Sequence, residues 1–324
     1  MAAVGGPLAG GFLIDRLSWR WIFAIYPPLG LLALVVLSVT LRLPKPVTRA
    51  PLDVAGAVTL AVAVVGVVMV GQTRNPAYLL LAAAGVAAWL VSARFAKDPI
   101  LPLRLFRDRA FAVPVTISLL VGFALFGTIT YMPAYLQIAL RTSATQAGLL
   151  VTALMGGVLI TTIVSGRLIT RTGTYKPYPV VGTALAAAGL GLIGLAGQAP
   201  VALAGAMLLT GLGVGLVMQV MVLAAQNAVE YADLGTATSS VTFLRQIGAS
   251  AGVALVGALI TWRFSDGIPA TVPSELPDGV RAAFAAAVPP VFAAMAPLLI
   301  VAFVLALALP ARPLRTTAYV EERT

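Results

Sequence analysis

Residues 177–229 read PYPVVGTALAAAGLGLIGLAGQAPVALAGAMLLTGLGVGLVMQVMVLAAQNAV, 53 consecutive positions without a charged side chain. A helix needs about 20 apolar residues to cross the hydrocarbon core of a bilayer. The stretch is therefore too long for one crossing and long enough for two, and Gly197, Gln198, Ala199 and Pro200 supply the turn between them. Working outward, uncharged runs at Trp21–Leu41, Val54–Thr73, Asn75–Ala93, Ala110–Leu140 and Thr142–Gly166 are each long enough to span. Leu234–Trp262 is interrupted only by Arg245, and Ala282–Ala311 forms the last span. With the short apolar segment Met1–Ile14 this gives nine full crossings and one partial one, an all-α polytopic membrane protein.

Composition agrees. Of 324 residues 60% are hydrophobic and 10% charged, with a mean hydropathy of +1.00; a soluble domain carries about 25% charged residues. Histidine and cysteine are both absent, which removes imidazole bases, thiol chemistry and the usual zinc ligands. No midspan acid pair offers an alternative for acid–base or metal chemistry, so an enzyme is not expected and no metal or cofactor is called for. Gly211-Leu-Gly213-Val-Gly215 lies in an apolar helix without a following Lys-Ser/Thr, which argues against a phosphate loop.

The net charge of +10 reads as orientation rather than nucleic-acid binding. Alternate loops carry fourteen basic residues on one side, including Arg42, Arg104, Arg171, Lys176 and Arg312, and six on the other. The richer side should be cytoplasmic, which places the C-terminus inside. Residues 1–6 show no basic leader with a cleavage site, and the chain opens within what reads as a helix.

Motifs sharpen this. Gly6-Pro7-Leu8-Ala9-Gly10-Gly11 is followed by Asp15-Arg16-Leu17-Ser18-Trp19-Arg20-Trp21-Ile22-Phe23 and Pro28-Leu29-Gly30. Glycines one turn apart admit close backbone approach, and proline breaks the hydrogen-bond ladder. The string resembles the antiporter motif in the fifth helix of drug exporters of the major facilitator superfamily, and the Trp-Arg-Trp-Ile-Phe run resembles their 14-span drug:proton antiporter branch. Leu101–Phe111, Tyr131–Gln137, Thr145–Gly148, Gly166-Arg167-Leu168 with Arg171, Gly173 and Lys176, and Arg245-Gln-Ile-Gly248 are similar to further signatures of that branch, in order along the chain. Ala2 stands where the motif usually has glycine, and Thr170 where the loop signature often has Asp.

The resemblance implies that residues 1–41 are the last two helices of an N-terminal bundle. Residues 42–109 are then the two-span linker of 14-span members, and 110–324 a six-helix C-terminal bundle with a short tail. The family's first four helices would lie outside this chain. It further implies a secondary active transporter of the cell membrane: proton-coupled efflux of small amphiphilic or cationic drug-like substrates by alternating access, powered by the proton gradient, without nucleic acid as a partner. The alternative is a non-transporting membrane protein, either an inert truncated product or an assembly partner.

Candidate site residues follow from polar groups inside apolar spans. Gln219 and Gln226 lie seven apart on one helix, and Thr128, Tyr131, Tyr135 and Gln137 lie together on another. Such stripes suit a cavity for amphiphiles, or equally hydrogen bonds between helices. Arg245 either lies deep in its span facing a cavity, or marks the cytoplasmic edge with its head group snorkelling to water. Gly248 and Gly252 one turn apart read as a packing face. Glu230 and Asp233 are solvated loop acids or cytoplasmic gate contacts of Arg167 or Arg171; Gly6, Pro7, Gly10 and Gly11 form the antiporter motif.

Overall fold

A computed structural model describes residues 2–16, 18–41, 53–73, 75–96, 99–263 and 277–314. Among these residues twelve α-helices run in chain order: α1 (Ala2–Arg16), α2 (Arg20–Ala24), α3 (Tyr26–Thr40), α4 (Val54–Thr73), α5 (Ala77–Phe95), α6 (Arg109–Leu140), α7 (Ala144–Thr172), α8 (Pro177–Leu195), α9 (Pro200–Asn227), α10 (Leu234–Arg263), α11 (Asp278–Ala293) and α12 (Ala296–Leu307). Among the described residues nine helical stretches are long and apolar enough to cross a membrane, with α2–α3 and α11–α12 each counted as one. Helices satisfy their own backbone polar groups, which is what a hydrocarbon solvent demands.

The boundaries have local causes. Asp108 caps α6 by accepting the Ala110 N–H at 2.9 Å. Ser143 and Gln146 form a reciprocal capping box that starts α7. Gly173 and Gly197 take the left-handed conformation after α7 and α8, at φ +68° and +59°. α7 continues six residues past the expected end at Gly166, out to Thr172. The final span differs more. It starts at Asp278, four residues before the expected Ala282, and then breaks at Ala294–Met295. Pro297 has no N–H to offer the carbonyl four residues back, so the ladder cannot continue through this point.

Packing rests on glycine. α6 lies along α10, where a Cβ on Gly248 would overlap the Leu119 carbonyl and one on Gly252 the Phe123 carbonyl. The run Gly211-Leu-Gly213-Val-Gly215 serves two neighbours at once. Gly211 and Gly215 meet the Leu154 and Val158 carbonyls of α7, while Gly213 meets Gly182 and Ala186 of α8. The Thr162 hydroxyl donates to the Gly215 carbonyl at 3.3 Å across this gap. α12 and α11 close the bundle against α8 and α6.

Outside this six-span bundle, α4 and α5 form a hairpin sealed by Gly66 on Ala82 and Gly85 on Ala63, and α4 leans on α10 through Gly71 at Ala254. α1 packs on α7, whereas α3 has no buried residue. Replacing Gly252 by leucine is expected to cost about 1–3 kcal/mol by overpacking the α6–α10 seam. Gly205→Ala, at a position with open space around it, should leave stability within about 0.5 kcal/mol. Thermal unfolding of the two purified variants in detergent measures the difference.

Candidate functional site

Two cavities flank the α4–α10 contact. One, of about 280 Å³, is walled almost wholly by apolar side chains such as Leu60, Val64 and Ile247. The other, of about 510 Å³, mixes apolar and polar groups from three helices. Gln72 comes from α4, Tyr131 and Phe126 from α6, and Ser250, Gly257 and Thr261 from α10. Tyr131 is half-buried, with its hydroxyl donating to the Val253 carbonyl at 3.3 Å. Gly257 makes room for it, because a Cβ there would strike the phenol oxygen. An aromatic wall with a few amides and hydroxyls can hold an amphiphile by its apolar body and orient its polar end.

Of the residues singled out from sequence, only Tyr131 lines this cavity. Thr128 is buried and donates to the Ala124 carbonyl of its own helix at 2.9 Å. Tyr135 is fully buried, stacks edge-on against Phe292 at 6.1 Å and donates to the Gly197 carbonyl at 3.1 Å. These two are core groups rather than cavity walls. Spacings of three and four keep all three on one side of the helix, but each level of that side meets different neighbours. Gln137 donates back to the Pro133 carbonyl of its own helix at 3.3 Å. Gln226 donates to the Thr238 hydroxyl at 2.8 Å, the interhelical bond. Gln219 is exposed on α9.

Gln72, Ser250 and Thr261 were missed. Gln72 carried a legible signal, an amide near the end of an otherwise apolar span. The hydroxyl residues did not, since Ser and Thr are common in membrane helices and bond back to their own backbone, as Thr261 does to the Gly257 carbonyl at 2.7 Å.

Arg245 lies one turn before Ala249, a residue of the cavity wall, but does not itself reach the wall. Its backbone sits against Gly122, near the midpoint of α6. That level favours depth over the membrane edge. Its half-buried guanidinium has no hydrogen-bond or ion-pair partner among the described residues. An uncompensated cation at that depth is costly and ordinarily faces water or a partner.

The two ends of the bundle carry separate polar contacts. At one end Arg104 donates to Asp233 at 2.7 Å, Arg312 donates to Asp108 at 3.0 and 3.2 Å, and Asn227 donates to the Pro313 carbonyl at 3.1 Å. Asp233 thus pairs with Arg104 and not with the expected Arg167 or Arg171, which are exposed at the end of α7, as is Glu230 in its own loop. The reason is reach: the segment before α6 passes beside the α9–α10 turn.

At the other end Arg141 pairs with Asp278. There too Asp15, just past the apolar opening segment, accepts the N–H groups of Ala144 at 3.2 Å and Thr145 at 2.8 Å and the Thr145 hydroxyl. One helix supplies the cap of another. Hydrogen bonds from the Thr145 hydroxyl and N–H hold the Asp15 carboxyl below the usual carboxylate range. The antiporter motif divides beside this cap. Gly11 lies against the Ala144 carbonyl and Gly148 against the Pro7 carbonyl, while among the described residues nothing lies where a side chain on Gly6 or Gly10 would begin.

The architecture defines a class first: a polytopic helical membrane protein whose second half is a six-span bundle beside a two-helix hairpin. The major facilitator superfamily model matches residues 1–253. An uncharacterized MFS-type transporter of Mycobacterium tuberculosis is 37% identical over 96% of this chain and 50% of its own length. The multidrug transporter protein MdtP of Bacillus subtilis is 31% identical over 81% of this chain and 51% of its own length. The chain belongs to the major facilitator superfamily, a family of membrane transporters rather than enzymes. It spans about half the length of the curated relatives it matches.

A crystal structure of a bacterial homolog of the human lysosomal transporter Spinster shares the fold, with a TM-score of 0.50 and 15% identity over 79% of this chain and 66% of that one.

The Asp15 cap should hold at every pH above the ordinary carboxylate range, and be lost only as the pH falls through its depressed pKa. At pH 7, Asp15→Asn should speed amide hydrogen exchange at Ala144 and Thr145 and leave the rest of α7 unchanged. Unaltered exchange at those two amides would remove the cap from the account.

Proposed function

We propose that this chain supplies the second bundle, the linker hairpin and part of the first bundle of a proton-coupled exporter of drug-like amphiphiles in the plasma membrane. The observation that carries the reading is the 510 Å³ cavity with an aromatic and amide wall at the α4–α6–α10 junction. Relatives named as a multidrug transporter and a multidrug resistance protein B homolog support the substrate class. Alternating access would rock the six-span bundle against the family's remaining helices.

Two features support the need for those helices. Gln219 presents an amide on an uncovered face of α9, where lipid alone would leave it without partners. Gly6 and Gly10 leave one side of α1 open. Arg245 is proposed to face the central cavity as an electrostatic element, repelling or releasing cations as protons load. The proton acceptor itself is assigned to helices outside residues 1–324, since no Asp or Glu lies midspan among these. The basic-rich end, with Arg104–Asp233 and Arg312–Asp108, is proposed as cytoplasmic. These two pairs would act there as gate contacts in place of any involving Arg167 or Arg171.

A second reading, a non-transporting membrane protein, is favoured by the absence of any buried residue in α3. Dye efflux under an imposed proton gradient separates the two. Cells expressing this chain joined to upstream sequence encoding four more spans should export dye, and cells expressing residues 1–324 alone should not. Equal efflux would overturn the need for further helices, and absence of efflux in both would favour the second reading. In the transporting form, Tyr131→Ala should lower efflux roughly tenfold through loss of an aromatic contact, whereas Thr128→Val should change it little.

A further inference from the structure

A cavity of about 700 Å³ opens where three helix ends meet, between the α7–α8 turn and the segment following α12. Its walls are tied together. Tyr175 is buried, its hydroxyl donating to the Pro310 carbonyl at 3.0 Å and accepting the Arg312 N–H at 3.3 Å. The Arg312 guanidinium is in turn held by both carboxylate oxygens of Asp108. A groove bounded in this way keeps its shape instead of collapsing onto whatever is near.

The charges around it are unequal. The cation of Arg312 is answered by Asp108. Lys176, half-buried on the cavity wall, has no hydrogen-bond or ion-pair partner among the described residues. Among the described residues no acidic side chain lines the cavity, and Arg171 adds an exposed cation just before it in the chain. Val180 and Val181 form an apolar floor. Val181 is 50% exposed and begins an outward apolar face that continues along α8 through Ala184, Ala188 and Leu192. A cation at the level of the helix ends, with an apolar strip running from it into the membrane, has the polarity of a phospholipid.

We propose that this cavity binds an anionic phospholipid, its headgroup phosphate on Lys176 and an acyl chain along the Val181 face of α8. Inorganic phosphate shares the headgroup chemistry but cannot use the apolar strip, so lipid is the occupant the whole surface fits.

The test is native mass spectrometry of the full chain released from mixed micelles of phosphatidylglycerol or phosphatidylcholine. Phosphatidylglycerol should be retained in preference. Lys176→Gln should weaken that retention about fivefold, the contribution of one basic residue near an anionic surface, and Lys176→Arg should restore it. Arg263→Gln, at the opposite end of α10, should have no effect. Val181→Asn, which keeps every charge, should also weaken retention. Equal retention of the two lipids, an unchanged Lys176→Gln protein, or an equal loss in Arg263→Gln would each overturn the proposal. So would full competition by millimolar inorganic phosphate, which would make this a simple anion site.

Discussion

Close approach of helix backbones is the interaction on which the rest of this molecule depends. In hydrocarbon there is no hydrophobic gain from joining two apolar helices, because lipid tails are as apolar as leucine. What holds them is contact at short range, and contact at short range needs small residues. The α6–α10 seam meets that need with Gly248 and Gly252, and α9 meets it twice with Gly211 and Gly215 on one face and Gly213 on another. Because α9 is gripped from both sides, α7, α9 and α8 form one packed sheet of helices. The cavity wall on α10 is therefore placed relative to a firm reference.

The same logic explains where the polar cavity sits. Polar side chains with work to do must lie where the packing is incomplete, and the polar cavity lies where a loosely attached hairpin meets a tightly seamed pair. Gly71 brings α4 close onto α10 at Ala254, and α4 and α10 together wall both cavities. Tyr131 keeps its ring free for contact because Gly257 yields space and the Val253 carbonyl accepts the hydrogen bond of its hydroxyl. Tyr135, one turn on, meets the filled core and is consumed by structure.

Most of the fold was legible because spans are written in long uncharged runs and their breaks in Gly, Pro and capping residues. The turn at Gly197–Pro200 and the packing face at Gly248 and Gly252 could be read from residue type alone. Which face of a helix a polar residue occupies was harder. Thr128, Tyr131 and Tyr135 share a helix, and their burial differs because of neighbours distant in sequence. Likewise the partner of Asp233 depends on where the segment before α6 travels, and α9 and α10 carry no information about that path. Gln72 went unseen as a wall residue for a related reason: its span reads as a linker, and only the docking of α4 on α10 places it on the same cavity wall as Tyr131.

Arg245 brings these constraints together. Its backbone must lie against Gly122 because the α6–α10 seam continues past Gly248 toward the start of α10. The seam thus fixes the depth of a cation that the membrane would otherwise push toward its edge. Snorkelling can extend a guanidinium by a few ångströms along the axis, but it cannot slide the helix, since every shift would drive the side chains beside Gly248 and Gly252 into the carbonyls of Leu119 and Phe123. The charge is held near the middle of α6 by van der Waals packing rather than by a counter-ion. A cation held this way responds to whatever charge enters the space beside it, because no fixed acid is there to answer first.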